Sequence, residues 1–517
     1  MALFDQPAVG TGSPSQAADP EKGLEATSKT TKNNNNTTTD ASDDGSVSGS
    51  PFTRTLDKVL KVSSVEIRGV LPVPLHERTS RRYSSFFTLW TTLNINLLPI
   101  TFGMLGPAFG LGLRDSVLVI VFFCLLTAAL PAYLGTLGPK TGLRQMIQAR
   151  FSYGRYLVSV PVLLNLATLV GFIIITAVIG GQCLSATTGG NLSSTVGIVI
   201  IGILAMFISF CGYRVVHQYE RYAWIPALIA IVITTGCGGS QLYLQAPPEP
   251  ATASAILSFG MIVASYMIPY AAIASDFTTY LSPDFPIWRL FTYGYLGLLF
   301  PAIPLMTLGA AIGNAKSNIP AWQDGYDTAG VGGILAAMLA PSGGFGVFVL
   351  VILALTLLGN VSATMYAVTL NFQIFVPQLV LVPRYIYSII ITAIVIPIAI
   401  KAADDFFLSL ENFIALIAYW SASFVAVVIL EHVVFRRGDY ASYDHDAWND
   451  AKRLPWGVAA LASGVLSFAL VVPSMSQNWY VGPIAEVTGD LGFEFALVVT
   501  GLLYLPMRAL EKKLCGR

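Results

Sequence analysis

Long apolar stretches recur along this chain after Arg81 and Arg82, with short polar segments between them. A helix of about 20 mostly apolar residues is long enough to cross the hydrocarbon core of a bilayer. The pattern therefore predicts an all-α, polytopic membrane protein with twelve membrane-spanning helices. In chain order, these apolar segments 1 to 12 cover residues 84–112, 115–137, 155–182, 194–213, 221–239, 255–276, 288–313, 345–371, 385–403, 406–433, 456–473 and 489–508.

The two ends of the chain lack this pattern. Residues 1–60 are rich in Ser, Thr, Asn, Gly and Asp, and they contain too few apolar residues to offset the entropy of ordering the chain. We expect a disordered cytoplasmic tail over 1–60 and a cytoplasmic pre-helix segment over 61–83. The membrane domain then covers 84–510, and a short cytoplasmic tail follows over 511–517.

Composition supports a membrane protein and excludes several other classes. The chain is 54% hydrophobic and 11% charged, with a mean hydropathy of +0.66 and a formal net charge of +0. A neutral chain carries no basic footprint for nucleic acid. The five cysteines are scattered singly, and the four histidines lie in polar segments or at segment ends. We therefore expect no disulfide framework, no metal site and no cofactor.

The positions of the basic residues predict the orientation in the membrane. If the N-terminus is cytoplasmic, the loops assigned to the cytoplasm hold 22 Lys and Arg residues, and those outside hold three, Arg114, Lys316 and Lys401. Positive residues are retained on the cytoplasmic side. We expect a multi-pass protein of the plasma membrane with both termini in the cytoplasm.

Two of the apolar segments contain helix-breaking sequences at mid-depth. Segment 1 is interrupted from Asn94 to Pro99, and segment 6 from Ser265 to Pro269. Broken backbone inside a bilayer persists only where it is buried in protein or lines a cavity, although a proline kink used for packing would look the same. The two segments are five apart, which is typical of inverted-repeat transporters. This predicts a first repeat over 84–240, a second over 255–433 and two extra helices over 456–510.

Polar side chains at mid-depth suggest a cavity for a neutral solute. Asn94, Asn165, Asn360 and Thr364 lie within apolar segments 1, 3 and 8. An unpaired amide in hydrocarbon costs on the order of 2–7 kcal/mol, so each needs a partner. Interhelical hydrogen bonds are one explanation. A shared site for a planar heterocycle with amide or amidine edges is the other, because Asn both donates and accepts.

Carboxylates lie instead at the membrane margins. Such residues are candidates for proton relay, whereas a helix cap or an interfacial ion pair is the alternative explanation for each of them. The marginal acids are Glu220, Asp276, Glu411, Glu431 and Glu494.

The chain resembles the nucleobase:cation symporter family 1, and within it the fungal purine-cytosine permeases. The resemblance covers about residues 70–510. The stretches that carry it are Trp90 to Asn94 with Leu105 to Pro107, Gly142 to Met146, Ala149 to Phe151, Asn165 with Val170 to Phe172, Gly212 to Pro226, Ser275 to Tyr280, Asn360 with Met365 and Tyr366, and Tyr443 to Trp448.

The resemblance implies a LeuT-like fold of five plus five inverted helices with two extra helices, and proton-coupled import of a nucleobase. It departs at Asn360 to Thr364, where the permeases usually carry Asn-Asn-Ile-Pro-Asn and this chain has Val361 and Ala363. Only Thr356 offers a hydroxyl for sodium one turn earlier, so a proton is the preferred coupling ion. The implied substrate-binding residues are Asn94, Asn165, Ser265, Tyr266, Asn360 and Val361, and the coupling candidates are Glu220, Asp276 and Thr356.

Three other functions remain open from the sequence. A transporter of the same fold could carry a vitamin such as pyridoxine or thiamine, another small heterocycle or an amino acid. A membrane receptor or a membrane-embedded enzyme is more remote, because no His or Asp lies at mid-membrane and the paired breaks would lack an explanation. The oligomeric state does not follow from the sequence.

Overall fold

The computed structural model describes residues 69–210, 222–247, 249–375 and 384–517, and helices make up most of these ranges. Four further helices of four to eight residues lie in the connections, at Leu137–Thr141, Gln145–Gln148, Arg150–Leu157 and Ala485–Thr488. The remaining α-helices are α1 Ser84–Asn94, α2 Leu97–Gly103, α3 Leu113–Gly135, α4 Ser159–Thr187, α5 Ser194–Phe210, α6 Trp224–Gly238, α7 Ala253–Met267, α8 Ile287–Lys316, α9 Pro320–Leu339, α10 Gly344–Phe375, α11 Arg384–Ala402, α12 Phe406–Leu430, α13 Val458–Ser474 and α14 Gly492–Cys515.

Each predicted apolar segment coincides with an apolar helix. Among the described residues, eight helices are long and apolar enough to cross a membrane, and four shorter apolar helices accompany them. These twelve match the predicted set. Helix α9 was not predicted. It lies between the helices of segments 7 and 8, and its backbone leaves the helical region at Ala329 and Gly330.

The two predicted breaks are confirmed. Helix α1 ends at Asn94, and α2 begins at Leu97 after an extended Asn96, whose side chain accepts a hydrogen bond from the Leu98 amide and caps the new helix. Helix α7 ends at Met267 and continues as two 3₁₀ turns, Ile268–Ala272 and Ala274–Phe277. Both interruptions are buried, as breaks at membrane depth must be.

The broken helix packs against α8 through glycine. A Cβ on Gly103 would lie 1.9 Å from the Met306 carbonyl oxygen, and one on Gly309 would lie 2.0 Å from the Ile100 carbonyl oxygen. Only residues without a side chain allow such an approach, as in other membrane helix pairs. Helices α4 and α10, which correspond to segments 3 and 8, pack along each other, and α10 also contacts α1 and α2 on the two sides of the break.

A buried ion network joins the last helices to α12. Glu431 forms two hydrogen bonds with Arg508 of α14, at 3.0 and 3.1 Å, and it also pairs with Arg436 at 3.3 Å. Glu511 accepts from the Gly457 amide that precedes α13. At the opposite end of these helices, two short antiparallel strands, β1 Ser476–Gln477 and β2 Tyr480–Val481, form a hairpin.

The predicted tail over 1–60, residues 61–68 of the pre-helix segment and Glu220 lie outside the described residues. The predicted orientation and the boundaries of the two repeats stay predictions.

Candidate functional site

Asn94 links the two broken helices. Its Nδ2 donates to the Trp90 carbonyl one turn earlier in α1, at 2.7 Å, so its Oδ1 faces away from that helix. This oxygen accepts a short hydrogen bond from the Tyr266 hydroxyl and a second one from the Tyr270 hydroxyl at 3.0 Å. Both lone pairs of the carbonyl are used, and Asn94 is fully buried. Asn94 therefore holds the two breaks together.

Asn360 reaches the same break from α10. Its Nδ2 donates to the Leu93 carbonyl at 3.2 Å, which is one of the carbonyls that the end of α1 leaves without an intrahelical partner. Asn360 is 7% exposed, whereas Asn94 is 0% exposed, so Asn360 is the more accessible amide at the break. One turn later, the Thr364 hydroxyl bonds to the Asn360 carbonyl and remains half-buried.

Aromatic rings surround this polar cluster. Trp90 and Tyr270 pack edge to face with ring centroids 4.9 Å apart, and Phe102 and Tyr266 do so at 5.0 Å. Rings in these arrangements are well suited to contact another planar ring. The break thus combines neutral hydrogen-bonding groups with aromatic surface.

Asn165 lies apart from this cluster, although we expected all the mid-depth amides to share one cavity. Its Nδ2 donates to the Asn371 Oδ1 at 3.0 Å. Asn371 follows Asn360 by eleven positions on α10, which is about three turns and roughly 16 Å along the helix. Eleven residues complete almost whole turns, so the two asparagines lie on one face of α10. The structure therefore shows two separate polar groups along one face of α10: Asn360 with the Asn94 cluster, and Asn371 with Asn165.

Two other predicted residues, Ser265 and Thr356, form hydrogen bonds within their own helices, and a third, Val361, has no polar side chain. The Ser265 hydroxyl donates to the Ile262 carbonyl at 2.6 Å, and the Thr356 hydroxyl donates to the Leu353 carbonyl at 2.6 Å. Val361 is an apolar residue and is 1% exposed. Neither hydroxyl reaches the Asn94 cluster in this structure, whereas Tyr266 belongs to it.

Asp276 takes part in the connection between α3 and α4. Its Oδ1 accepts from the Gln145 amide at 2.8 Å, and its carbonyl accepts from Arg144 at 2.8 Å. This arrangement fits the cap that we gave as the alternative to proton relay. Among the other marginal acids, Glu431 forms the buried ion network and Glu411 accepts from Asn478 at 3.3 Å. Both carboxylate oxygens of Glu494 are enclosed and have no hydrogen-bond partner within the described ranges.

Sequence reasoning missed two residues of these polar groups, Tyr270 and Asn371. Tyr270 follows Pro269 directly, so its place in the second break was visible. Asn371 is the last residue of apolar segment 8, and the same cost argument that singled out Asn165 applies to it. Within the described ranges, no group of three or more His, Cys, Asp or Glu side chains could hold a metal ion.

A broken first helix, a matching break five helices later and a neutral polar cluster between them define a secondary transporter. A family described as permeases for cytosine/purines, uracil, thiamine and allantoin matches residues 72–495. The chain belongs to this family. It is therefore a transporter and not an enzyme.

Curated relatives and solved structures agree with this assignment. The purine-cytosine permease fcyB of Emericella nidulans is 34% identical, over 92% of this chain and 96% of the relative. The purine-cytosine permease FCY21 of Saccharomyces cerevisiae is 31% identical, over 89% of each chain. The structure of Mhp1, a nucleobase-cation-symport-1 family transporter with bromovinylhydantoin bound, matches with a TM-score of 0.64 at 17% identity, over 86% of this chain and 95% of that one. The fold is LeuT-like, as the sequence predicted.

Proposed function

We propose that this protein imports a purine or pyrimidine nucleobase of the cytosine, adenine or hypoxanthine type across the plasma membrane. The single observation that carries the proposal is the neutral cluster of Asn94, Tyr266, Tyr270 and Asn360 at the paired helix breaks. Among the described residues, the hydrogen-bond partners of these amides are uncharged. Neutral donors and acceptors beside aromatic rings suit an uncharged heterocycle. Family membership supports the same substrate class.

The coupling ion in this proposal is a proton. A sodium site beside the broken α1 would require several oxygen ligands, and one turn before Asn360 the helix α10 offers only the hydroxyl of Thr356. The proposed coupling candidates are Asp276 and Glu220. Asp276 lies at the end of the second break, so protonation there would change the contact with Gln145.

The proposed mechanism is alternating access with both termini in the cytoplasm. The solute enters from outside and binds beside Asn360 and the aromatic residues at the breaks. Helices α1, α2, α3, α7 and α8 then rock against the remaining helices and open the site to the cytoplasm.

Radiolabelled uptake tests the proposal. In cells that lack their own nucleobase uptake, the intact chain should accumulate labelled cytosine or adenine, and a protonophore should abolish the accumulation. Asn360→Ala should reduce the uptake about tenfold or more, because it removes a hydrogen bond to the solute at the breaks. Asn165→Ala removes the separate pair with Asn371 and tests whether that pair is also needed for uptake. Ser265→Ala is the matched control and should retain uptake, because its hydroxyl is satisfied within α7.

Other outcomes separate the alternatives. Accumulation of labelled pyridoxine or thiamine but of no base would show a vitamin transporter of the same fold. Saturable binding without accumulation would favour a receptor. Undiminished uptake by Asn360→Ala at equal surface expression would contradict its place in the site.

A further inference from the structure

An open cavity of about 500 Å³ lies on the side of the molecule where α1 begins and where α3 and α12 end. Its walls come from three parts of the chain, which are the pre-helix segment, the connection after α3 and the connection after α12. The lining includes Arg78, Lys140, Thr141, Tyr443, Asp444 and His445. The volume is in the range of small-molecule sites. By the predicted orientation, this side faces the cytoplasm.

Arg78 is enclosed beside this cavity, and its known contacts use only part of its guanidinium group. The residue is 8% exposed. Its Nη1 donates to the carbonyls of Pro139 at 2.9 Å and Lys140 at 3.0 Å, near the C-terminal end of the short helix Leu137–Thr141. Such a cap is a common role for arginine. It leaves Nε and Nη2, which have no hydrogen-bond partner among the described residues.

Lys140 brings a second positive charge to the same cavity. Its Nζ donates to the Pro283 carbonyl at 2.5 Å, and a carbonyl does not neutralise a full charge. Among the described residues, neither Lys140 nor Arg78 forms an ion pair. The carboxylate of the lining, Asp444, already pairs with Arg453. Enclosed cations without a counter-charge are costly, so the cavity is complementary to an anion.

Two hydrogen bonds fix the wall that follows α12. The Nε2 of His445 is 2.5 Å from the Thr141 carbonyl oxygen, and a carbonyl can only accept, so Nε2 carries a proton and donates. The Tyr443 hydroxyl lies 3.3 Å from Nδ1 of His432. The walls are therefore held together before any ligand binds, which lowers the entropic cost of binding.

We propose that this cavity binds a phosphate-bearing anion, with Arg78 and Lys140 as its charged ligands. Arginine and lysine are the side chains that proteins use to bind phosphate groups. The site is separate from the Asn94 cluster, because the eleven residues of α1 lie between them and extend about 16 Å. At a cytoplasmic membrane surface, this chemistry has two sources, the headgroup of an anionic lipid and a soluble phosphate ester.

The test measures binding to the purified full-length chain in detergent, through the rise of its melting temperature with ligand concentration. The probes are inositol trisphosphate, which is soluble, and a short-chain phosphatidylinositol phosphate, which inserts into the micelle. Potassium chloride at equal ionic strength controls for screening. A saturable rise with inositol trisphosphate would show that the phosphate groups are sufficient. A saturable rise with the lipid alone would assign the site to a headgroup at the membrane surface.

Variants that change one charge locate the binding. Lys140→Gln should raise the dissociation constant at least about tenfold, because it removes a charge-assisted hydrogen bond, and Lys140→Arg should retain most of the affinity. Lys513→Gln is the matched control, since it removes an exposed charge of α14 that does not line the cavity, and it should bind like the unchanged protein. Arg78→Gln should also weaken binding, and the Lys140 variants decide the question if the loss of the cap prevents folding.

Two results would overturn the site. One is the absence of a saturable rise with either probe, and the other is an equal loss of affinity in Lys140→Gln and Lys513→Gln, which would show attraction to net charge alone. The measurement requires no transport, so its result is independent of nucleobase import.

Discussion

Two buried asparagine side chains, Asn94 and Asn371, are oriented by carbonyl groups of their own helices. Asn94 and Asn371 each donate to the carbonyl four residues earlier, and each then offers an oxygen to a neighbouring helix. This arrangement satisfies one end of the amide locally and directs the other end across the helix interface. It explains why a polar residue can be both buried and available to a partner.

The role of Asn94 can be tested by removing its carbonyl. Asn94→Leu leaves the Tyr266 and Tyr270 hydroxyls without their acceptor, so it should lower the stability of the purified protein by about 1–3 kcal/mol. Thermal unfolding in detergent measures the loss. Ser265→Ala is again the control and should unfold like the unchanged protein. Equal melting temperatures for Asn94→Leu and the parent would refute the linking role.

At the residue scale, the sequence predicted which side chains matter better than it predicted their partners. Burial cost alone identified Asn94, Asn165 and Asn360, and the structure places all three inside the protein. It could not show that Asn165 meets Asn371 and not Asn360, because that depends on how α4 is registered against α10. Registry of packed helices is a property of the whole core, which local patterns do not encode.

At the element scale, the broken α2 depends on a close approach to α8. Gly309→Ala would place a Cβ 2.0 Å from the Ile100 carbonyl oxygen, so the helices must separate, at a cost of about 1–3 kcal/mol. We expect a lower melting temperature and reduced uptake. Gly236→Ala in α6 is the matched control, since its Cβ would meet nothing within 4 Å, and it should preserve both properties. Unchanged uptake and melting in Gly309→Ala would show that the contact is not required.

The elements that sequence predicted well are those with strong local signals. Pro99, three residues after Asn96, and Pro269, next to Tyr270, mark the two breaks, because proline removes a helix donor. Helix α9 escaped prediction because its first turns are polar and because Gly330, with a φ of 57°, divides it into two short pieces. The kink is stabilised by α4, because the Gln182 side chain accepts a hydrogen bond from the Val331 amide. Such tertiary support is invisible in a hydropathy pattern.

At the scale of the whole molecule, the two extra helices are attached through charge as well as apolar packing. Glu431 and Arg508 are 3% and 2% exposed, and Arg436 and Glu511 complete a network of two carboxylates and two guanidinium groups. Its charges balance, so removal of any one member leaves a buried charge uncompensated. Breaking a buried pair in this way typically costs about 3–5 kcal/mol.

A double-mutant cycle measures how far the contributions of Glu431 and Arg508 to the free energy of unfolding depend on each other. Glu431→Gln and Arg508→Gln should each destabilise the purified protein by roughly 2–5 kcal/mol, and the double variant should lose clearly less than the sum, because neutral amides restore the balance. The control is Lys401→Ala, which removes an exposed ion pair with Asp404 and should leave the stability nearly unchanged. The KM for the transported solute should stay constant in every variant, since the site amides Asn94 and Asn360 lie on α1 and α10. A strictly additive cycle would mean that the extra helices are held by packing alone.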